Sequence, residues 1–174
     1  MATGRPVAVA KSLFLSVDPQ ESPLAVLHRV GAGLQTMRER YASMAMVVIA
    51  VDAHHLQVAS AGMPPLLVRR HATGSIDEIL LPGVPLGTMA DASYVLRDVV
   101  VASGDVILVT SDGAPEAVAP TGEHFGYDRV VSYLEGCDGR SAEAIVNGLV
   151  DMVTSFVGAS SPHDDVTVLA LVVD

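Results

Sequence analysis

The 174-residue chain has no tryptophan, one cysteine, one lysine and an aromatic content of only 4%. The lone Cys137 excludes an intramolecular disulfide and a cysteine-based zinc site. It suits a reducing compartment, so a cytoplasmic protein is expected. No apolar run approaches the roughly 18–20 residues of a membrane-spanning helix, and no basic, apolar, small-residue leader is visible at the N-terminus. Positive charge is scarce: 10 Lys and Arg stand against 20 Asp and Glu, a formal net charge of -10. Such a chain repels nucleic acid and acidic lipid, and neither is expected as a partner. The acid excess suits divalent-cation sites, although a solubilising surface is the commoner reason for it. What the chain does have is apolar residues, 50% of the total with 17% charged. That is enough to bury a core and rules out wholesale disorder. The length suits one domain over residues 1–174.

Residues 7 to 17 read as an apolar helix. Ser22 is a good N-cap with Pro23 at the first helical position. Leu24, Leu27, Val30, Leu34 and Met37 then recur at helical spacing, and Arg38, Glu39 and Arg40 close the run. Gly31 and Gly33 either weaken that helix or let another element approach it closely. Residues 44–51, 106–110 and 166–173 are continuous apolar runs, expected as central strands buried on both faces. Further strands are expected at 56–60, 66–70, 76–81 and 94–101, with turns at Asp52 to His55, His71 to Ser75 and Gly104-Asp105. A short helix is expected after Gly113. A longer one from Ser141 should bury Ile145, Leu149, Met152, Val153 and Phe156. The methionines fall on apolar faces and read as core. The pattern is α+β, helices on a largely antiparallel sheet.

Two acidic positions lie at strand ends. Asp112 follows the 106–110 run and precedes Gly113, and Asp164-Asp165 precede the last run. At an effective dielectric near 20, two carboxylates about 4 Å apart repel by about 4 kcal/mol. A hard cation such as Mg²⁺ or Mn²⁺ removes that cost. On position alone the plainer reading is favoured, an Asp-Gly turn and a solvated loop pair. His54-His55 reads as a solvated turn, and His163 as an exposed loop residue, with proton shuttling the sharper alternative. Ser111 lacks the glycine two residues earlier that a nucleophile elbow requires.

Five stretches, in order, then resemble one family. Gly104-Asp105, the apolar strand, Ser111-Asp112-Gly113 and Glu116-Ala117 form the longest. The others are Ala61-Gly62-Met63-Pro64-Pro65, Gly83-Val84-Pro85-Leu86-Gly87, Phe125-Gly126-Tyr127-Asp128-Arg129 and Asp164-Asp165-Val166-Thr167. Together they resemble the SpoIIE-like PPM-type protein phosphatases, metal-dependent serine/threonine phosphatases of bacteria. The resemblance implies two antiparallel sheets face to face, flanked by helices, with a dinuclear Mn²⁺/Mg²⁺ site. It implies that Asp112 and Asp164 are metal ligands, their carboxylates within roughly 4–6 Å, with Gly113 and Asp165 in support. The implied chemistry is one-step attack of metal-activated water on a phosphoserine or phosphothreonine. The implied substrate is a phosphorylated regulatory protein, as in partner-switching cascades where an anti-sigma-factor antagonist is dephosphorylated.

Two acidic motifs that the family carries upstream, Gly-Asp-x-x-Asp and Asp-x-x-Gly-His-Gly, are not found. Either Met1 to Pro6 is a remnant of the second, or Val9 to Phe14 is the family helix that follows it. The chain thus looks like the C-terminal three-quarters of the family domain, early strands missing. At most one well-held metal site, impaired hydrolysis and pairing of two copies through an exposed sheet edge are then expected. A non-catalytic module that binds a signalling partner is the alternative. Placement of 166–173 in a helix or on a solvent-exposed edge would make the family assignment fail.

Overall fold

A computed structural model describes residues 4–37, 43–158 and 164–174. Met1 to Thr3, Arg38 to Arg40 and His163 lie outside the described residues. In chain order the elements are α1 (Gly4–Leu15), α2 (Pro23–Thr36), β1 (Met46–Asp52), β2 (His55–Ala61), β3 (Leu66–Arg69), β4 (Ile76–Ile79), β5 (Leu96–Val100), β6 (Val106–Thr110), α3 (Tyr127–Glu135), α4 (Ala142–Val157) and β7 (Val168–Val172). The strands form two antiparallel sheets, ordered β1-β2-β5 and β4-β3-β6-β7. The chain divides into two compact units, Met1–Met63 with Leu81–Val100 and Pro64–Leu80 with Val101–Asp174. Among the described residues no helix is long and apolar enough to cross a membrane.

In the first unit Ser22 caps α2 by accepting the Ala25 N–H, with Pro23 just inside the helix. Val26, Leu27, Val30 and Leu34 are buried against Ala59, Ala61 and Leu86. Gly33 serves close approach, because a Cβ there would overlap the Leu13 side chain of α1. Gly62 has φ +72°, and a Cβ on it would meet Pro85 Cγ at 2.7 Å. The Ala-Gly and Gly-x-Pro-Leu-Gly stretches are thereby packed together, and Leu86 continues the contact through backbone bonds with Met44.

In the second unit β6 lies between β3 and β7, and all five of its residues are buried. α4 packs on β7 and buries Ile145, Leu149, Val153 and Val157, with Met152 and Phe156 partly buried on the same core. Its N-cap is Ser141, whose hydroxyl accepts the Ala144 N–H.

Three expectations are corrected. Of the three strands expected at sheet centres, β6 is central, whereas β1 and β7 are terminal in their sheets. β1 grows exposed toward its end, where Val51 is 61% exposed, and in β7 Leu169 is 46% exposed. Neither β1 nor β7 has a fully buried residue, so of the three, burial on both faces holds for β6 alone, and an apolar run carries no information about which backbone edge is paired. The segment after Gly113 is a set of turns rather than a helix, and the intervening helix is α3 at Tyr127–Glu135, which the periodicity did not single out. Met37, Met44, Met46 and Met152 pack on the cores as expected, but Met89 is 56% exposed.

Candidate functional site

The last regular pair of the β6–β7 ladder is Thr110 with Val168. Beyond it the two chains stay joined through Ser111. Its N–H donates to the Thr167 carbonyl at 2.9 Å, its hydroxyl accepts the Thr167 N–H at 2.9 Å, and the same hydroxyl donates to the Asp165 carbonyl at 3.1 Å. Asp112 then emerges exposed. Gly113 is buried against Asp165, and a Cβ there would lie 3.0 Å from the Asp165 carbonyl carbon and closer still to its oxygen. Backbone meets backbone at this point, so the glycine is a packing requirement. The chain next turns once, the Glu116 N–H donating to the Asp112 carbonyl at 2.9 Å.

Residues 111–113 and 165–167, more than 50 positions apart in the sequence, are thus brought together. Asp164 and Asp165 are exposed, and Asp164 Oδ1 accepts the Asp165 N–H at 2.8 Å. Beside them opens a cavity of about 520 Å³. Val150, Val153 and Val157 of α4 line its apolar side, and Glu116, Asp164 and Asp165 bring acid to it. Asp112 is not among the lining residues. Sequence reasoning placed no role on Glu116 and weighed Ser111 only as a nucleophile. A hydroxyl directly before Asp-Gly at a strand end was the available signal for Ser111.

A donor set made of carboxylates fits a hard cation. Among the described residues no group of three or more His, Cys, Asp or Glu side chains is placed to hold a metal, and one oxygen of Asp164 is already engaged by its neighbour's N–H. His54 and His55 are exposed at the β1–β2 turn and lie in the other unit.

Other motif residues prove architectural. Asp105 is 3% exposed and accepts N–H bonds from His71 and Ala102 and a guanidinium bond from Arg70. Gly104, with φ +83°, leaves room for the His71 ring. Arg129 donates to the carbonyls of His124 and Phe125, pairs with Glu123 and sits 5.0 Å from the Phe156 ring centroid. Tyr127 donates to the Pro65 carbonyl at 2.8 Å. Burial, reinforced by the charge of Glu78, pushes its phenol up to about 12.

Residues 7–174 match the family described as Stage II sporulation protein E (SpoIIE). The chain belongs to the SpoIIE family. It is a SpoIIE-like PPM-type phosphatase domain by family and fold. The curated protein IcfG of Synechocystis is 22% identical over 131 residues, which cover 75% of this chain and 20% of that protein. The chain therefore spans about a fifth of the length of that relative. The SiaA-PP2C domain of Pseudomonas aeruginosa superposes with a TM-score of 0.80 at 21% identity, covering 97% of this chain and 68% of that one. The manganese-presoaked phosphatase domain of SpoIIE from Bacillus subtilis gives 0.59 at 14% identity, covering 100% of this chain and 76% of that one. At these identities the superpositions establish the PP2C fold.

Proposed function

We propose that this chain is a metal-dependent protein serine/threonine phosphatase domain acting on a bacterial regulatory phosphoprotein, such as an anti-sigma-factor antagonist in a partner-switching cascade, and that its hydrolytic capacity is low. The observation that carries the reading is the junction at Ser111. It joins the two stretches that the family resemblance marks as ligand-bearing, Asp112-Gly113 and Asp164-Asp165. Asp112 and Asp164 would hold one Mn²⁺ or Mg²⁺. Asp165 supports Asp164, and Gly113 lets the Asp165 backbone come close to Asp112. A hard divalent ion, when bound, supplies charge that polarises water and a phosphoryl oxygen. The domain is taken to span residues 1–174 and to act in the cytoplasm, where a buried free thiol such as Cys137 is stable.

Low capacity follows from the donor count. Two side-chain carboxylates, one of them part-engaged by the Asp165 N–H, leave most of a single ion's coordination to water. The same count favours, as second reading, a module that binds a phosphorylated partner without hydrolysing it. The test is hydrolysis of an aryl phosphate with Mn²⁺, run beside a Mn²⁺ titration, on the chain and on Asp112→Asn. Weak Mn²⁺ binding that the substitution removes, with little turnover, is expected. Robust turnover lost on substitution would overturn the low-capacity part alone. Failure of the parent to bind Mn²⁺ would sink the metal assignment.

A further inference from the structure

We propose that Ser111 is the positioning residue of this site: its hydroxyl holds the Asp164-Asp165 segment beside Asp112-Gly113 and takes no part in chemistry. This rests on the carboxylate reading above. The regular ladder ends at Thr110 and Val168. One residue further, the Thr167 N–H finds the Ser111 side-chain oxygen at 2.9 Å instead of a β6 carbonyl. The hydroxyl hydrogen is passed on to the Asp165 carbonyl at 3.1 Å. A hydroxyl is one of the few side-chain groups that can accept and donate at once, and both capacities are used here. An alanine would leave a backbone donor and a backbone acceptor without their partner.

Residues 165–167 are tied to the end of β6 by these two bonds, by the Ser111 N–H to the Thr167 carbonyl and by the Gly113 contact, and Val166 packs partly buried on the core. The remaining bond, from the Asp165 N–H to Asp164 Oδ1, is local and shapes the segment without anchoring it. The side chains of Asp164 and Asp165 are exposed, so packing does not hold the carboxylates themselves. The hydroxyl thus supplies two of the three hydrogen bonds at the Ser111 junction, including the one that reaches Asp165. The nucleophile role that the sequence context argued against is replaced by a geometric one.

The experiment compares the full chain with Ser111→Ala and Ser111→Thr. Without metal, the Thr167 amide should exchange with solvent at least about tenfold faster in Ser111→Ala. The nuclear Overhauser contact between Gly113 and Asp165 should also be lost. Ser111→Thr, which keeps the hydroxyl, should restore both, and α4 amides should stay protected in all three proteins. In a Mn²⁺ titration Ser111→Ala should bind about tenfold more weakly and Ser111→Thr within about twofold of the parent. Retention of the Thr167 protection and the Gly113–Asp165 contact in Ser111→Ala overturns the proposal. So does a lost contact with parent-like Mn²⁺ affinity, since Ser111 would then be a ladder bond of no consequence to the site. If the parent binds no Mn²⁺, the cation reading falls, and the exchange and contact results alone decide whether Ser111 holds the segment.

Discussion

Asp105 stands at the mouth of β6, nearly buried yet charged. Burial pulls its pKa up, but the N–H groups of His71 and Ala102 and the Arg70 guanidinium together outweigh that and hold it below the ordinary carboxylate value. A carboxyl depressed on folding contributes stability that is complete above its unfolded pKa of about 3.9 and is lost as pH falls through the lower folded value. Stability followed by urea unfolding should therefore decline as pH drops below about 4. Asp105→Asn should be less stable at pH 7 by about 1.5–3 kcal/mol, the scale of hydrogen bonds to a charged group, and its stability should fall less steeply in acid. An Asn variant with the parent's acid slope would show that other carboxyls set the decline.

α4 is an element whose start, face and end are all visible in the sequence. Ser141 supplies the cap, and Ile145, Leu149 and Val153 recur every four residues along the buried stripe. Gly158 ends it with φ +66°, a conformation that favours glycine. Ser141→Ala removes one cap bond and should cost about 1 kcal/mol in chemical denaturation, with no change in Mn²⁺ binding. An effect near zero would mean that tertiary packing, not the cap, sets the start of the helix. α3 was missed for a physical reason. It is only 9 residues long, its buried positions are Val130 and Leu134, and its N-cap Gly126 makes no side-chain cap bond. Arg129, bonded to the carbonyls just before the helix, gives that start a tether no cap rule describes.

At the scale of the whole molecule, the acid excess of -10 and the small carboxylate donor set point to weak, hard-cation binding. A dissociation constant on the order of 1 mM lies at the weak end of oxygen-ligand sites. At 10 mM Mn²⁺, mass action then stabilises the folded chain by about 1.4 kcal/mol, equivalent to roughly 3–5 °C in Tm for a chain of this size. Asp112→Asn should abolish that shift, as a thermal melt with and without Mn²⁺ would show. A shift of equal size in the variant would assign the effect to non-specific screening. A solvent-exposed edge position for residues 166–173 was expected to defeat the family assignment, yet β7 is terminal in its sheet and the family pattern spans residues 7–174. Edge or centre within a sheet is thus not a discriminating mark here.

The sequence by itself determined the cap at Ser22, the helix start at Ser141, the buried stripe of α4 and the order of motifs that marks the family. Each depends on local spacing or on residues a few positions apart, and such signals survive without coordinates. Only the tertiary structure decided which strand edges are paired, because a backbone edge leaves no trace in side-chain pattern. It also decided what Gly33 and Gly113 are for, since the groups they admit, Leu13 and Asp165, come from other elements. Ser111 is the plainest case. Its neighbours in sequence placed it in a family motif and spoke against nucleophilic chemistry, but assigned it no partner. Its partners, Asp165 and Thr167, lie more than 50 residues away and meet it only when β6 and β7 pair.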